Sequence, residues 1–347
     1  MMTLRRFAEA PDSIPLQATW YLADLGQALG RQELFTRQAP QKLKVLRDRA
    51  LAESAVSSNR IEGVEVEQDQ VATLVFGHRK PRNRDEEELR GYRKSLNLIH
   101  AQASQLSVSE DTVLRLHKLS RGEVWDAGHY KDQPVDIIET DALGNSRVRF
   151  RSVDPIRTPQ FLREALAFWD RGLIEKPVPP LVLLGALNLD FLCIHPFRDG
   201  NGRVSRLLLL LSLYHLGYEV GRYISIERII EENKPRYYET LQQSSQGWHE
   251  EKHDPWPYVN FLLFVLNAAY KEFEGRLGEI RDERGAKTGL VEAYVESREG
   301  HFTLGEVEQA CPGVSRDMVR RVLDNLRKAG RIRCVTRGRS ARWIRIA

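Results

Sequence analysis

The stretch HPFRDGNGRVSR, from His195 to Arg206, contains the side-chain types that are needed to handle a nucleotide polyphosphate. A histidine that is neutral at cellular pH can accept a proton from an incoming hydroxyl, so His195 is a candidate base. Asp199 places a carboxylate next to a glycine-rich turn, and Mg²⁺ prefers one or two carboxylates together with phosphate oxygens. The stretch therefore predicts a phosphate site with a divalent cation.

The apolar run Leu207–Leu213 follows this stretch directly and predicts a buried helix. Gly200 and Gly202 should take positive φ, so that the turn lies at the N-terminus of this helix. The first amides of a helix have no intrahelical partner and lie at its positive end, which favours a bound phosphate. Arg203 and Arg206 are three positions apart and should face the same anion.

Each feature by itself has a simpler explanation. A lone histidine before a helix is more often a capping or packing residue, and a lone GNG is usually a turn. The simplest role for Phe197 is to anchor the loop in the core. His117 falls in a helical pattern of leucines and is expected to be an ordinary helix residue. The prediction of a phosphate site therefore depends on the combination at this spacing.

The stretch resembles the motif of the Fic family, HPF-x-[D/E]-GNGR-xx-R, at every fixed position. Members of this family typically transfer AMP from ATP to a Ser, Thr or Tyr hydroxyl of a protein, with Mg²⁺. The resemblance implies that His195 is the base for the target hydroxyl and that Asp199 is the Mg²⁺ ligand. It also implies that the remaining motif residues bind phosphate: Gly200, Asn201, Gly202, Arg203 and Arg206.

A second resemblance lies upstream, where a helix predicted from Gln41 ends in SSNRIEG at Gly63. The residues Ser58 to Gly63 match the form [S/T]-xxx-E-[G/N] of the inhibitory helix of Fic proteins, in the class that carries it N-terminally. Glu62 would then form an ion pair with Arg206, whose guanidinium would otherwise bind the γ-phosphate of ATP.

Two further segments resemble parts of the Fic nucleotide site. Short β-prone runs at 135–138 and 147–150 flank a turn at 142–145 and predict a hairpin. In the family such a flap covers the site and holds the target backbone by strand addition, with Ile137 nearest the nucleotide here. KPRYYETLQQSS resembles the adenine border, which implies adenine contacts for Tyr237 and Tyr238; a role as core aromatics is equally compatible. Some relatives have asparagine where Ser245 aligns.

The 347 residues are 41% hydrophobic, which is enough for two or three domains. The expected architecture is mainly α: a Fic-type helical bundle with a β-hairpin flap and a small C-terminal winged helix-turn-helix domain. We expect an N-terminal helical region with the inhibitory helix over 1–110, a catalytic core over 111–280 and the winged helix over 286–347. The charged, glycine-containing stretch at 281–289 predicts the last boundary.

The C-terminal segment is strongly basic, with eleven Arg or Lys against two Asp from Arg316 onward, although the net charge of the chain is only +4. Helix, helix, turn, helix and two strands around Gly338 predict the winged helix plan, with a helix that opens on Ser315. Its recognition helix would offer Arg316, Arg320 and Arg321 to DNA. A role of this domain in dimerisation or in docking a target protein is an equally good alternative to DNA binding.

Cys193, Cys311 and Cys334 are odd in number and widely spaced, which fits neither a disulfide framework nor a zinc site. No apolar run reaches 18 residues, so we expect no membrane partner and a cytoplasmic location. The expected function is a protein adenylyltransferase that modifies a target and itself, restrained by Glu62. Removal of AMP from modified proteins and a DNA-binding regulator that senses nucleotide remain the alternatives.

Overall fold

The computed structural model describes most of the chain in ten ranges: 2–11, 13–38, 40–64, 81–140, 146–282, 286–296, 298, 300–311, 314–336 and 341–346. By internal contacts the chain forms two compact units. The first unit comprises Met1–Gln32 and Lys44–Glu272, and the second comprises Glu33–Leu43 and Phe273–Ala347. The expected division near residue 110 falls inside the first unit and stays a prediction.

The described chain is mainly α-helical, as predicted. As far as Asp282 the helices are α1 (Thr3–Glu9), α2 (Leu16–Gln38), α3 (Pro40–Ile61), α4 (Arg84–Gln102), α5 (Glu110–Arg121), α6 (Thr158–Glu175), α7 (Pro180–Ile194), α8 (Asn201–His215), α9 (Ile226–Glu232), α10 (Lys234–Ser245) and α11 (Trp256–Asp282). Short 3₁₀ turns at Ala103–Gln105 and Val220–Arg222 complete this list.

Helices α7 and α8 form the centre of the first unit. Every residue of α7 from Leu181 to Ile194 is buried, and the run Leu207–Leu213 of α8 is buried as the sequence predicted. A helix that is apolar all round must lie inside the protein, because no face of it is suited to water. The loop between these two helices carries the HPFRDGNGR motif and is therefore held at both ends by the core.

A pair of antiparallel strands, β1 (Ile137–Thr140) and β2 (Ser146–Phe150), lies between α5 and α6 in the chain order. Ile138 lies opposite Val148, and Ile137 lies opposite Phe150, so the register shifts between these two pairs. The predicted turn at 142–145 lies outside the described residues.

The second unit contains α12 (Ala286–Glu296), β3 (Phe302–Thr303), α13 (Leu304–Ala310), α14 (Arg316–Lys328), β4 (Ile332–Thr336) and β5 (Arg342–Arg345). The strands form an antiparallel sheet in the order β3-β5-β4. Sequence patterns predicted every one of these elements except β3, whose two residues are too few to show a period. Ser315 caps α14 as predicted, since its hydroxyl accepts from the Met318 amide. The predicted turn residue Gly338 lies outside the described ranges.

The three cysteines are free thiols; Cys193 and Cys311 are buried and Cys334 is partly exposed. Among the helices that the structure describes, none combines the length and the apolar character needed to cross a membrane.

Candidate active site

A cavity of about 250 Å³ lies where the motif loop, the β1–β2 pair and α10 meet. It is lined by six of the residues that the sequence analysis selected: Glu62, Ile137, His195, Gly202, Tyr237 and Tyr238. The other selected residues do not line it: Ser58, Asp199, Gly200, Asn201, Arg203 and Arg206. Four quite separate stretches of sequence are therefore brought to one pocket.

His195 ends α7 in the left-handed conformation, with φ of 52°, and its amide donates to the Phe191 carbonyl at 2.9 Å. Its ring Nδ1 lies 3.3 Å from the Leu192 carbonyl oxygen, which can only accept. Nδ1 therefore carries the proton and Nε2 is left free to accept one. Burial, with the positive charge of Lys131, lowers the pKa of His195 to about 4, so the ring is neutral at cellular pH.

Lys131 holds the backbone on both sides of His195. Its Nζ donates to the Ile194 carbonyl at 3.1 Å and to Ser152 Oγ at 2.7 Å, and its amide donates to the Pro196 carbonyl at 3.0 Å. Burial lowers the pKa of Lys131 to about 8. The sequence did not indicate this residue, because a single lysine between a turn and a strand has no distinguishing pattern.

The glycine turn is confirmed at one of its two glycines and corrected at the other. Gly200 precedes α8 with φ of 82°, whereas Gly202 is an ordinary residue of the first helical turn. Gly202 lacks a side chain for a different reason, since a Cβ atom there would overlap Glu62 Oε1. The Val204 amide donates to the carbonyl of Gly200, the residue before the helix, so the amides that precede Val204 lie outside the helical hydrogen-bond ladder and can bind an anion.

The loop before α8 is locked by its own side chains. The Asn201 amide group accepts from the Phe197 amide at 2.9 Å and donates to the Phe197 carbonyl at 2.8 Å. Phe197 is fully buried, as predicted. Its ring stacks on His117 with 3.7 Å between centroids.

His117, expected to be an ordinary helix residue, supports the motif loop directly. Its Nδ1 accepts from the Gly128 amide at 2.9 Å, so Nε2 carries the proton and donates to the Asp199 carbonyl at 3.0 Å. The helical pattern around His117 could not reveal these partners, because both belong to other segments.

The two motif arginines turn to different partners. Arg203 is 1% exposed and donates to Glu88 Oε2 at 2.7 Å, while Glu88 Oε1 accepts from Arg121 at 2.6 Å. Arg206 instead pairs with Glu62. The structure therefore does not bring both guanidiniums to one anion, and a phosphate role for Arg203 stays a prediction.

Asp199 lies among guanidinium groups. Its Oδ2 accepts from Arg121 at 2.8 Å and from Arg84 at 3.0 Å, and its Oδ1 accepts from the Gly200 amide. Burial would raise the pKa of Asp199, but Arg121 and Arg203 outweigh it and lower the pKa below its usual range. The carboxylate is therefore ionised at neutral pH.

The donor set near Asp199 limits the kind of metal that the site could hold. Among the described residues, no group of three or more His, Cys, Asp or Glu side chains could bind a metal ion by itself. One ionised, partly exposed carboxylate suits a magnesium ion whose other ligands are phosphate oxygens and water. The residues thus fit a metal that arrives with a nucleotide, not one that the protein alone retains.

Glu62 forms the predicted contact with Arg206, with 2.8 Å between Oε1 and Nη2. Ser58 adds two acceptors to the same guanidinium: Oγ for Nε at 2.8 Å and the carbonyl oxygen for Nη2 at 2.9 Å. Burial would lower the pKa of Arg206, but the Glu62 charge outweighs it and raises the pKa. Glu62 comes just after α3, which ends at Ile61 before the positive-φ Gly63, as predicted.

Tyr237 and Tyr238 lie at the cavity wall, and their predicted contact with adenine stays a prediction. Tyr237 is 3% exposed and packs on Tyr258 and Phe261, which makes it a core residue. Tyr238 donates to the Ile61 carbonyl at 3.2 Å. Both nevertheless line the cavity, together with Ile137 and Ser245. The structure also adds Arg149 to this wall, which the sequence analysis did not select.

Comparisons with known proteins agree with the motif. Residues 107–213 match the model of the Fic/DOC family. The protein adenylyltransferase fic-1 of Caenorhabditis briggsae is 22% identical over 173 residues, which are 49% of this chain and 29% of the relative. Protein adenylyltransferase Fic of Nematostella vectensis is 23% identical over 184 residues, which are 50% of this chain and 36% of the relative. The chain thus spans about a third of the length of these relatives.

Solved structures share the fold. A Fic family protein from Desulfovibrio desulfuricans superposes with a TM-score of 0.66 at 22% identity, over 97% of this chain and 98% of its own. Fic-1 from Caenorhabditis elegans superposes with a TM-score of 0.57 at 20% identity, over 76% of this chain and 75% of its own. With the complete motif at the start of the buried helix α8 and the family match around it, residues 107–213 of this chain form a Fic domain.

Proposed function

We propose that this chain is a protein adenylyltransferase, which transfers AMP from ATP to a Ser, Thr or Tyr hydroxyl of a target protein and of itself. The observation that carries the proposal is one cavity lined by His195, whose Nε2 can accept a proton, by Gly202 at a helix N-terminus and by the tyrosine pair. Distant relatives bear the name protein adenylyltransferase, which supports the same activity.

In the proposed reaction, His195 Nε2 accepts the proton of the target hydroxyl. The hydroxyl oxygen then bonds to the α-phosphorus of ATP, the bond from that phosphorus to the bridging oxygen breaks, and pyrophosphate leaves. The amides at the start of α8, with Arg203 and Arg206, would stabilise the charge on the phosphates. Magnesium, when bound at Asp199 with the phosphates, would neutralise part of the same charge.

The remaining elements fit supporting roles in this proposal. The β1–β2 pair would act as the flap over the nucleotide, with Ile137 in contact with it and the target backbone added as a further strand. Tyr237 and Tyr238 would border the adenine. Glu62 would restrain the enzyme, because the guanidinium that it holds is then unavailable to the γ-phosphate.

The experiment that tests the activity is mass spectrometry of the purified protein after incubation with ATP and Mg²⁺. We expect the mass of one AMP group on the chain itself, and none for His195→Ala, which should still bind ATP because the base acts only on the incoming hydroxyl. A His195→Ala variant that modifies itself at the wild-type rate would overturn the role of His195. No modification by wild type or by Glu62→Gly would overturn the activity.

Removal of AMP from modified proteins is the second candidate, since Glu62 lines the same cavity as His195 and could orient a water molecule there. Incubation with an AMP-modified protein in the absence of ATP separates the two reactions. Release of AMP that depends on Glu62 would favour removal.

For the second unit we propose a winged helix that binds duplex DNA, with α14 as the recognition helix. The order α12-β3-α13-α14-β4-β5 and the sheet order β3-β5-β4 support this plan. Arg316, Arg320 and Arg321 are exposed on the N-terminal half of α14, which is the part that reads base edges in such domains. Dimerisation or target docking through this unit is the competing role.

A further inference from the structure

Arg149 lines the cavity because of a bulge in strand β2, where the register of the β1–β2 pair shifts. Ile137 lies opposite Phe150 and Ile138 lies opposite Val148, so Arg149 is an extra residue with no partner on β1. Neighbouring residues of a regular strand point to opposite faces, whereas a bulge redirects one of them. Arg149 and its neighbour Phe150 consequently both line the cavity.

The surroundings of Arg149 leave its charge unmatched. In the part of the chain that the structure describes, its Nε is shielded from solvent and has no hydrogen-bond partner. Within the same part, Arg149 takes part in no ion pair, although Glu62 and Asp136 also line the cavity. Because a shielded guanidinium donor without an acceptor is unfavourable, this arrangement calls for an anion in the cavity.

The distance from Arg149 to the tyrosine pair shows which part of a nucleotide it would meet. Its guanidinium carbon lies 5.9 Å from the centre of the Tyr238 ring. An adenine stacked between the two would need about 7 Å, twice the separation of atoms in van der Waals contact. The gap is therefore too narrow for a base, and the part of a nucleotide that carries negative charge is its phosphate.

We propose that Arg149 binds the phosphate attached directly to the nucleoside, so that the cavity selects a nucleoside 5′-phosphate over a nucleoside. This inference rests on the proposed nucleotide transfer and assigns the cation for the group that is transferred. Arg203 and Arg206 do not line the cavity and are held by Glu88 and Glu62, so neither supplies this contact in the structure. Arg149 lies on β2, which belongs to the strand pair proposed as the flap.

Binding measurements test the proposal without any transfer reaction. Calorimetry with AMP and with adenosine would compare wild type, Arg149→Met, which keeps the length of the side chain without its charge, and Arg149→Lys. We expect Arg149→Met to bind AMP about tenfold more weakly or worse, as is typical when a charge-assisted contact to phosphate is lost, with adenosine affinity unchanged. Arg149→Lys should recover part of the AMP affinity.

Arg147→Met is the matched control, because Arg147 lies on the same strand but is exposed and does not line the cavity. It should leave both affinities at the wild-type value, and circular dichroism would verify that each variant is folded. Equal losses for AMP and adenosine in Arg149→Met, or wild-type affinity for AMP, would overturn the inference. Wild-type protein that binds neither AMP nor ATP would instead overturn the proposed function itself.

Discussion

Glu62 and Arg206 form an ion pair across 144 positions of sequence, with 2.8 Å between Oε1 and Nη2. The Glu62 side chain is 29% exposed and lines the cavity, while Arg206 is only 3% exposed and is also bound by Ser58. Glu62 occupies the space that a side chain at position 202 would fill. The residue that follows α3 is therefore bonded to the second turn of α8, and it lines the same cavity as His195.

Glu62→Gly should raise AMP incorporation, because it frees Arg206 for the γ-phosphate. A charge-assisted contact to phosphate contributes roughly 1.5 to 3 kcal/mol, so we expect about a tenfold increase or more. Arg206→Ala in the same background should cancel the gain. Incorporation of radiolabelled AMP by the three proteins measures both effects.

A matched control for this experiment is Glu231→Ala, which breaks the more exposed pair between Arg60 and Glu231 at 3.4 Å. It also removes a carboxylate that contacts α3, yet it should leave incorporation unchanged. The inhibitory assignment is wrong if wild type and Glu62→Gly incorporate equal amounts of AMP.

The pH dependence of transfer should show a neutral base with a low pKa. Since the pKa of His195 is about 4 and its neutral form accepts the proton, kcat/KM should fall only as the pH drops through about 4. Lys131→Met removes a positive charge that disfavours the imidazolium, so the acid limb should move to higher pH. Lys131→Arg keeps the charge and should restore the profile; an unmoved limb in Lys131→Met would contradict the electrostatic role.

Glu88 should be essential for stability, because it is 3% exposed and bonds to two guanidiniums that are themselves buried, those of Arg121 and Arg203. Glu88→Ala leaves both charges without their partner and should cost about 3 to 5 kcal/mol. Thermal unfolding followed by calorimetry checks this expectation. Asp85→Asn, in the first turn of the same helix, is the control and should change stability by less than about 1 kcal/mol.

Asp199→Asn should reduce the effect of magnesium on nucleotide affinity. Asp199 is the proposed metal ligand, and its replacement by asparagine removes an ionised carboxylate of the kind that Mg²⁺ binds together with phosphate oxygens. Titration of ATP with and without Mg²⁺ would measure the ratio of the two dissociation constants. The same ratio in wild type and variant would show that Asp199 does not bind the metal.

Replacement of Arg316, Arg320 and Arg321 by alanine should lower the affinity for duplex DNA. It should also make that affinity less sensitive to salt concentration. Each lost phosphate contact lowers the slope of log K against log salt by roughly 0.9. Fluorescence anisotropy with a labelled duplex at several salt concentrations measures this slope. Arg298→Ala is the control, because Arg298 is an exposed arginine of the second unit that does not lie on α14. It donates a hydrogen bond to the Tyr294 hydroxyl. Wild-type protein that binds no DNA at low salt would favour dimerisation or docking.

Features that depend on neighbouring residues could be predicted from the sequence. The burial of α8 follows from its leucine run, the turn before it from Gly200, the end of α3 from Gly63 and the start of α14 from Ser315. Each of these is decided within a few residues, where helix periodicity, positive φ and capping operate. Even the Glu62–Arg206 pair was expected, but only because two separate motifs resembled one family.

The partners of the site residues were decided by the tertiary structure. Arg203 turns to Glu88, 115 positions away, instead of joining Arg206 at one anion, and Lys131 reaches the carbonyl of Ile194, 63 positions away. Arg149 reaches the cavity because one extra residue in β2 changes the direction of its side chain. Helix and strand periods describe which face a residue occupies on its own element. Which group meets that face from another element is set by how the helices pack, because the contact energy belongs to the pair and not to either segment alone.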